Sequence, residues 1–178
     1  MSDDHERDAA LARAVRLREQ GQVEQAREQL VELAERYPED AEIAYQTAWA
    51  HDTLGLEAEA VPFYERALSG EGLSREDRRG AFLGLGSTHR VLGRYEPAVE
   101  TLRRGLEEFP EDPGLQAFLA MALYNSGEGR EAVRLLLRTL AATSGDRRVQ
   151  DYRRAIEYYA DDLDAVWQAD EKPDGRED

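Results

Sequence analysis

Apolar residues recur at helical spacing through most of the chain, and short turns that contain glycine separate the segments that carry them. The stretch 79–112 has two such segments, with Gly93 between them and Pro110 after the second. Glycine is typical of the residue that follows a helix, and proline cannot continue one. The pattern therefore predicts two helices joined by a turn.

Large and small residues in this stretch indicate how the two helices pack. Gly86 and Ala98 are small, and Phe82, Leu85 and Leu102 are large. Helices approach each other closely where their side chains are small. We therefore expect the helices to cross at the two small residues, with the three large ones filling the space around the crossing.

The same arrangement recurs along the chain with a period of 34 residues. Gly55 follows Gly21 by 34 residues, and Gly127 follows Gly93 by the same interval. A period of this length is typical of repeat proteins built from pairs of helices. We expect four repeats, at 7–40, 41–74, 79–112 and 113–146.

Four additional residues interrupt this period between the second and third repeats, because equivalent residues Ala60 and Ala98 are 38 apart instead of 34. Ser74 followed by Asp77 has the pattern of a capping box at a helix N-terminus. We therefore expect the insertion to form a loop and one extra turn at the start of the next helix. Asp40 is likewise predicted to cap the helix that follows it.

The two ends differ from the repeats. Residues 1–6 are polar, and we expect them to be frayed. Apolar residues recur at helical spacing in 147–167, which predicts one long helix that caps the last repeat. The segment 168–178 is acidic with few apolar residues, and we expect it to be disordered.

The spacing of residues in 79–112 resembles the tetratricopeptide repeat (TPR), whose pattern is W-x2-L-G-x2-Y, then A-x3-F, then P. The matching residues are Phe82, Leu85, Gly86, His89, Ala98, Leu102 and Pro110. The resemblance implies an all-α, right-handed α-solenoid of four helix-turn-helix units with a C-terminal capping helix. It also implies a concave face, lined by the first helix of each repeat, that binds a peptide or helix of another protein. The whole chain looks like small stand-alone bacterial TPR proteins of the actinobacterial type.

The resemblance also indicates which side chains point into the concave groove. At the family's groove positions the chain has a mostly apolar and aromatic strip with a few polar residues, and Tyr158 of the last helix is expected to close its far end. The candidate groove residues are Leu11, Val15, Arg18, Tyr45, Trp49, Asp52, Leu83, Ser87, Arg90, Met121, Tyr124, Asn125 and Tyr158. Aromatic side chains of this kind are typical anchors in protein interfaces.

A packing role is the alternative for Tyr45 and Trp49, since aromatic residues at helical spacing often belong to a core. Against it, they share one predicted face with Met121 and Tyr124, and a contiguous exposed apolar patch usually marks an interface. For Arg18 the alternatives are an ion pair with an acidic ligand group and an ordinary solvated surface charge.

Composition and charge exclude several other functions. The formal net charge of −15 disfavours binding to nucleic acid or to anionic membranes. The absence of cysteine excludes disulfides, thiolate nucleophiles and cysteine zinc sites. We find no signal peptide and no apolar run long enough to span a membrane. The prediction is a cytoplasmic protein that binds neither nucleic acid nor membranes.

The sequence has no recognisable arrangement of catalytic residues. His51 and His89 both occupy the family's Tyr position, which is normally a packing position, and no metal-binding spacing supports a site there. No nucleophile–base pair or phosphate-binding loop is found. We therefore predict a protein that is not an enzyme and has no metal or cofactor.

Two functions of different class remain open. The first is an adaptor or scaffold that holds a peptide or helix of a partner protein in the groove. The second is a self-assembling or structural protein, a homodimer for example, whose groove or end face is filled by another copy or by its own C-terminal segment. The segment 158–167 suits the second, because it alternates apolar residues with acids that Arg18 and Arg90 are placed to meet.

Overall fold

The structure is a computed structural model that describes residues 2–166, with side chains from residue 5 onward. In this part of the chain all regular structure is α-helical. The helices are α1 (Ser2–Glu19), α2 (Val23–Arg36), α3 (Ala41–Thr53), α4 (Glu57–Ser69), α5 (Arg75–Val91), α6 (Tyr95–Glu108), α7 (Pro113–Asn125), α8 (Gly129–Thr143), α9 (Arg147–Gln150) and α10 (Arg153–Asp161).

The helices from α1 to α8 pack in chain order, each against the next. In addition, each first helix contacts the first helix of the following pair: α1 contacts α3, α3 contacts α5, and α5 contacts α7. This is the arrangement of an all-α solenoid, in which every pair of helices packs only on its neighbours. The predicted fold class is confirmed.

Local signals in the sequence set the helix ends. The turns within the four pairs contain Gly21, Gly55, Gly93 and Gly127, all in the left-handed region with φ between 72° and 90°. Glycine adopts this conformation without the steric cost that a Cβ imposes. The carboxylate of Asp40 accepts a hydrogen bond from the Ile43 backbone N–H at 2.9 Å, as expected of an N-cap.

The insertion between the second and third pairs forms a loop and an extra helical turn, as predicted. Helix α5 has 17 residues, whereas α3 and α7 have 13 each, so α5 is longer by the four inserted residues. The Ser74 hydroxyl caps it by accepting a hydrogen bond from the Asp77 backbone N–H at 3.0 Å. The insertion therefore lengthens a first helix at its N-terminal end.

The helix crossing predicted in the third pair is also found. Phe82, Leu85, Ala98 and Leu102 are all buried. A Cβ at Gly86 would overlap the Leu102 side chain, so only glycine lets α5 and α6 approach this closely. The core continues through the second to fourth pairs, and a smaller apolar cluster holds α1 and α2 against α3.

The N-terminal prediction is wrong, because residues 2–6 are helical and belong to α1. Glu6 forms an ion pair with Arg36 of α2 at 3.0 Å, and the next residue, Arg7, forms ion pairs with Asp40 and Glu42 at 2.8 Å. Contacts with α2 and α3 therefore order a polar segment that has no apolar residue of its own to bury.

The single C-terminal helix predicted at 147–167 is also wrong, because the segment forms two shorter helices, α9 and α10, and α10 ends at Asp161. At Tyr152 the backbone turns to φ −105° and ψ 5°, although neither glycine nor proline marks the break. The turn lets α10 pack on α8, where Ala160 is buried and Asp161 pairs with Arg138. The predicted acidic tail at 168–178, and Trp167, lie outside the described residues.

Candidate functional site

The candidate groove residues differ widely in exposure. Leu11 and Tyr45 are buried, with 4% and 6% of their surface exposed. Trp49, Met121 and Tyr124 are exposed, at 39%, 41% and 72%. Of the others, the half-buried residues are Val15, Arg18, Asp52, Leu83, Ser87 and Arg90, and the exposed ones are Asn125 and Tyr158. Accessible aromatic residues on the first helices are thus concentrated in the second and fourth pairs.

One cavity of about 340 Å³ lies between the second and third helix pairs. It is lined by Tyr45, Trp49, Asp52, Tyr64, Glu76, Asp77, Arg79, Gly80, Leu83, Gly84 and Ser87. We call it the inter-repeat cavity. Five of the candidate residues meet in it, so the structure brings together the central part of the predicted strip.

Two glycines of α5 shape the inter-repeat cavity. A Cβ at Gly80 would overlap the Tyr45 hydroxyl, and a Cβ at Gly84 would overlap the ring of Tyr64. Because these glycines have no side chain, the two tyrosines lie directly against α5. The ring centroids of Tyr45 and Tyr64 are 6.4 Å apart, and those of Tyr45 and Trp49 are 5.7 Å apart, which makes a continuous aromatic cluster.

Arg18 contacts this cluster from the first helix pair. Its guanidinium carbon lies 3.5 Å from the centroid of the Trp49 ring, which is a close cation–π contact. The Nε atom of Arg18 is buried without a hydrogen-bond partner, and burial lowers the pKa of the side chain. Arg18 is thus half-buried against Trp49, a contact that neither alternative for this residue included.

Asp52 is held at the cavity by two hydroxyl groups. The Tyr64 hydroxyl donates a hydrogen bond to one carboxylate oxygen at 3.2 Å, and the Thr88 hydroxyl donates to the other at 3.0 Å. Burial raises the pKa of Asp52, and these two hydrogen bonds act against the rise. Asp52 thus links α3 to α4 and α5 while one edge of it lines the cavity.

Burial also raises the pKa of both buried tyrosines. The pKa of Tyr45 rises to about 12, chiefly by burial and next by the charge of Asp77. The pKa of Tyr64 rises by burial and by the nearby Asp52 carboxylate. Both phenols therefore stay protonated at neutral pH and can act as hydrogen-bond donors.

Six lining residues are not among the candidate groove residues: Tyr64, Glu76, Asp77, Arg79, Gly80 and Gly84. Tyr64 comes from the second helix of its pair, whereas only first helices were searched for groove residues. Glu76 and Asp77 come from the extra turn of α5. The four-residue insertion was recognisable in the sequence. Because it adds a turn to the first helix of the third repeat, it could have indicated that Glu76 and Asp77 lie beside the groove.

A second cavity of about 290 Å³ lies at the C-terminal side of the fourth pair. It is lined by Arg90, Ala120, Met121, Tyr124, Asn125, Ala132, Val133 and Leu136. Four candidate residues meet here, and none of them lines the inter-repeat cavity. Tyr158 lies on α10, which packs on α8.

Apolar residues of α8 continue this surface. Val133 and Leu136 are each 45% exposed and Leu140 is 43% exposed. Together with Met121 and Tyr124 of α7 they form what we call the end face. Helix α10 covers another side of α8 and leaves these residues open.

The two histidines at the family's Tyr position are core residues. His51 stacks on Phe63 with ring centroids 5.2 Å apart, and its Nδ1 lies 2.8 Å from the Thr47 carbonyl oxygen. His89 is buried, and its Nδ1 has no hydrogen-bond partner. Within residues 2–166 no group of three or more His, Asp or Glu side chains is placed to hold a metal ion.

Comparison with protein families now decides the classification. A family profile described as Tetratrico peptide repeat matches residues 41–163, and a second one, described as Tetratricopeptide repeat, matches residues 8–40. The chain belongs to the tetratricopeptide repeat family. The family resemblance predicted from the residue spacing is therefore confirmed.

Solved TPR structures share the fold at low sequence identity. MamA from Desulfovibrio magneticus RS-1 superposes with a TM-score of 0.62 at 18% identity, covering 89% of this chain and 97% of that one. YrrB, described as a TPR protein with an unusual peptide-binding site, gives 0.61 at 18% identity, covering 88% and 90%. Cut9, in the APC/C hetero-tetramer Cut9–Hcn1, gives 0.64 at 16% identity, covering 86% and 29%.

No curated protein matches this sequence at a significant level. Across the described helices, none combines the length and the apolar character that crossing a bilayer requires.

Proposed function

We propose that this TPR protein is a non-enzymatic scaffold that binds a peptide or helix of another protein along the face of its first helices. The observation that carries the proposal is the exposure of Trp49, Met121 and Tyr124 on that face, next to two cavities of a size that side chains fill. Large aromatic groups contribute most of the binding energy in protein interfaces. The description of YrrB as a peptide-binding TPR protein supports the same function.

The proposed binding groove is the strip of candidate residues predicted from the sequence. It is formed by the four repeats at 7–40, 41–74, 79–112 and 113–146. Its inner end is the inter-repeat cavity, and its outer end is the cavity beside Tyr124. Two of the candidate residues, Leu11 and Tyr45, act from the core as supports instead of presenting a free side chain. The ligand would contact mainly Trp49, Leu83, Met121 and Tyr124.

The test is binding of linear peptides, selected from a random display library on the wild-type protein, to a Trp49→Ala, Tyr124→Ala double variant. Removing two anchors should weaken binding by on the order of 2 to 4 kcal/mol. The matched control is a Tyr152→Ala, Tyr159→Ala double variant, which removes two exposed aromatics outside the groove. Equal affinity of both variants for the selected peptides would reject the groove as the site.

A second function, self-association through the end face, is favoured by a specific observation. Val133 and Leu136 are exposed, but their equivalents 34 residues earlier, Val99 and Leu102, are 6% and 0% exposed. The earlier pair is buried where α6 packs on α5, with Leu102 against Gly86, and on the next first helix, α7. The end face therefore has the composition of a surface made to receive another first helix.

A second copy of this chain supplies such a helix. Ala9 and Ala12 of α1 are exposed. Their equivalents in the third repeat, Ala81 and Gly84, are buried, and Gly84 contacts Tyr64 of the preceding repeat. Helix α1 of one copy is thus suited to pack on the end face of another, which gives head-to-tail association instead of a closed homodimer.

Concentration-dependent mass in solution tests this second function. Leu136→Glu places a charge in the end face and should abolish the association. Val91→Glu makes the same change at an apolar residue that is 59% exposed and lies outside the end face, and should leave the association intact. A wild-type mass that stays monomeric up to high concentration would reject self-association.

A further inference from the structure

The inter-repeat cavity has a carboxylate without a cationic partner. Asp52 is half-buried, and in residues 5–166 no Arg, Lys or His nitrogen lies within ion-pair distance of it. Its two hydrogen bonds come from the neutral hydroxyl groups of Tyr64 and Thr88. A partly buried negative charge is costly unless a positive charge compensates it.

Asp40 and Asp112, two half-buried aspartates that cap first helices, do have such partners. Asp40 accepts hydrogen bonds from Arg7 at 2.8 Å, and Asp112 lies 3.4 Å from an Arg79 nitrogen. Burial by itself raises the pKa of Asp40, but the hydrogen bonds and charge of Arg7, together with backbone hydrogen bonds from Ile43 and Glu42, outweigh it and the pKa is lowered. The pKa of Asp52 is raised instead, because burial outweighs the hydrogen bonds from Thr88 and Tyr64, and no cation among the described residues adds to them.

The remaining charges around the cavity do not supply the missing cation. Arg79 pairs with Glu76 at 2.6 Å and with Asp112, so it is already shared between two acids. Arg18 lies over the outer ring of Trp49. Asp77 accepts a hydrogen bond from the Ser74 hydroxyl and adds a third acid to the lining, beside Asp52 and Glu76.

The aromatic residues of the cavity lining also favour a cationic ligand. Tyr45, Trp49 and Tyr64 form one cluster at the cavity, and aromatic faces attract cations. Leu83 adds an apolar surface against which an alkyl chain can pack. Lysine and arginine side chains combine an apolar stem with a cationic end, which matches this division of the lining.

We infer that the inter-repeat cavity receives a lysine or arginine side chain of the bound peptide, with its cationic end on the Asp52 carboxylate and its stem between Trp49 and Leu83. The inference rests on the proposed groove function and specifies its ligand. A basic side chain also complements the formal net charge of −15. In the bound state the Asp52 carboxylate gains the counter-charge that the free protein does not provide.

The experiment is a peptide selection followed by a double-mutant cycle. Random linear peptides are selected on wild-type protein, and a selected peptide is resynthesised with norleucine in place of its recurrent basic residue. Asp52→Asn keeps the size and planar shape of the side chain and removes its charge, although its amide NH2 donates at the place where one carboxylate oxygen accepts. Glu59→Gln, an exposed acid of α4 outside the cavity, is the control for loss of one negative charge.

The expected result is a Lys or Arg at a fixed place in the selected peptides. Its replacement by norleucine should weaken binding to wild type and to Glu59→Gln about tenfold to a hundredfold, as expected for loss of a charge-assisted hydrogen bond. The same replacement should have little effect on Asp52→Asn, because the charge that it pairs with is already absent. Binding of the peptides to wild type should also weaken with salt.

Two results would overturn the inference and leave the groove function in place. One is a set of selected peptides that depend on Trp49 and Tyr124 but share no basic residue. The other is a norleucine effect that is as large in Asp52→Asn as in wild type. A selection that enriches no peptide at all would reject the groove function and the inference together. The peptide substitution is measured on unaltered wild-type protein, so it does not depend on the folding of a variant.

Discussion

The second helices of the third and fourth repeats have the same apolar residues at two equivalent positions, but the exposure of these residues differs between the repeats. In α6, which packs on both α5 and α7, Val99 and Leu102 are buried, whereas their equivalents in α8, Val133 and Leu136, are 45% exposed. The residue types are identical at both positions. The burial of this residue pair therefore depends on the helices that pack around it, and among the described residues no first helix follows α8.

The comparison explains why the two cavities differ in chemistry. The inter-repeat cavity lies between two packed repeats, where a longer α5 brings Glu76 and Asp77 beside the aromatic cluster. The cavity at the end face lies where packing stops, and its lining is mainly apolar. We therefore expect the inter-repeat cavity to bind a polar group of a ligand, and the end face to bind an apolar helix surface.

The largest effect is expected from truncating the two equivalent leucines. Leu102→Ala removes a side chain with 0% exposure and should lower the free energy of unfolding by about 2 to 5 kcal/mol, because it leaves a cavity. Leu136→Ala should cost less than about 1 kcal/mol, since that side chain is already half in solvent. Denaturant unfolding of dilute monomer measures both. Equal losses would mean that the end face is covered in solution.

Two glycine-to-alanine substitutions should change stability in opposite directions. Gly86→Ala places a methyl group into Leu102 and should destabilise the protein by about 1 to 3 kcal/mol. Gly129→Ala, at the start of α8, meets no atom closer than 3.9 Å and should stabilise it by up to about 1 kcal/mol. Thermal unfolding of the two variants is the measurement. A stabilising Gly86→Ala would show that the α5–α6 crossing is looser than described.

A pH-dependent stability is expected from His89 in the third repeat. Burial, and next the charge of Arg94, lower the pKa of His89, although Glu65 acts in the opposite direction. A histidine with a lowered pKa in the folded state stabilises the protein above its unfolded pKa of about 6.5 and loses that contribution as the pH falls towards the folded value.

The fourth repeat has Leu123 at the equivalent position, so His89→Leu imports the residue of the terminal repeat. This variant should lose the part of the stability change between about pH 7 and pH 5 that wild type shows in denaturant unfolding. An unchanged pH profile would assign the titration to other groups.

The smallest effect is expected from ion pairs at the two ends of the solenoid. Arg7→Gln removes a hydrogen-bonded pair with Asp40 that is largely shielded from solvent and one with the more exposed Glu42, and should cost about 1 kcal/mol. Arg130→Gln breaks exposed pairs with Asp162 and Asp164 and should leave the midpoint of unfolding unchanged. Raised salt should shrink the Arg7 effect only slightly, and a large loss in Arg130→Gln would mean that α10 depends on these pairs.

Much of the fold was predictable because its signals are local. Asp40 and Ser74 cap helices where the sequence places them, and Gly86 lies at a helix crossing as its small size indicates. The turn at Tyr152 was not predictable, because no local residue causes it and the contact of α10 with α8 does. The helical N-terminus was missed for a similar reason, since Arg7 finds its partners 33 and 35 residues away.

The candidate site was predictable only in part. The repeat register placed Trp49, Met121 and Tyr124 on exposed first-helix surfaces, which the structure supports by their accessibility. The same register placed Tyr45 there, although its ring is buried against α5 beside Gly80. Register gives the direction in which a side chain leaves its helix, but the neighbouring helix decides whether the side chain remains accessible.

By itself, the sequence determined the repeat period, the helix pairs, their turns and caps, and membership of the TPR family, because each of these depends on residues close together in the chain. Tertiary structure alone decided that Arg18 lies over Trp49 and that, within residues 5–166, Asp52 has hydroxyl partners but no cation and no helix covers the end face. These features depend on contacts between different repeats. Their geometry follows from how whole helices pack, which no short stretch of sequence specifies.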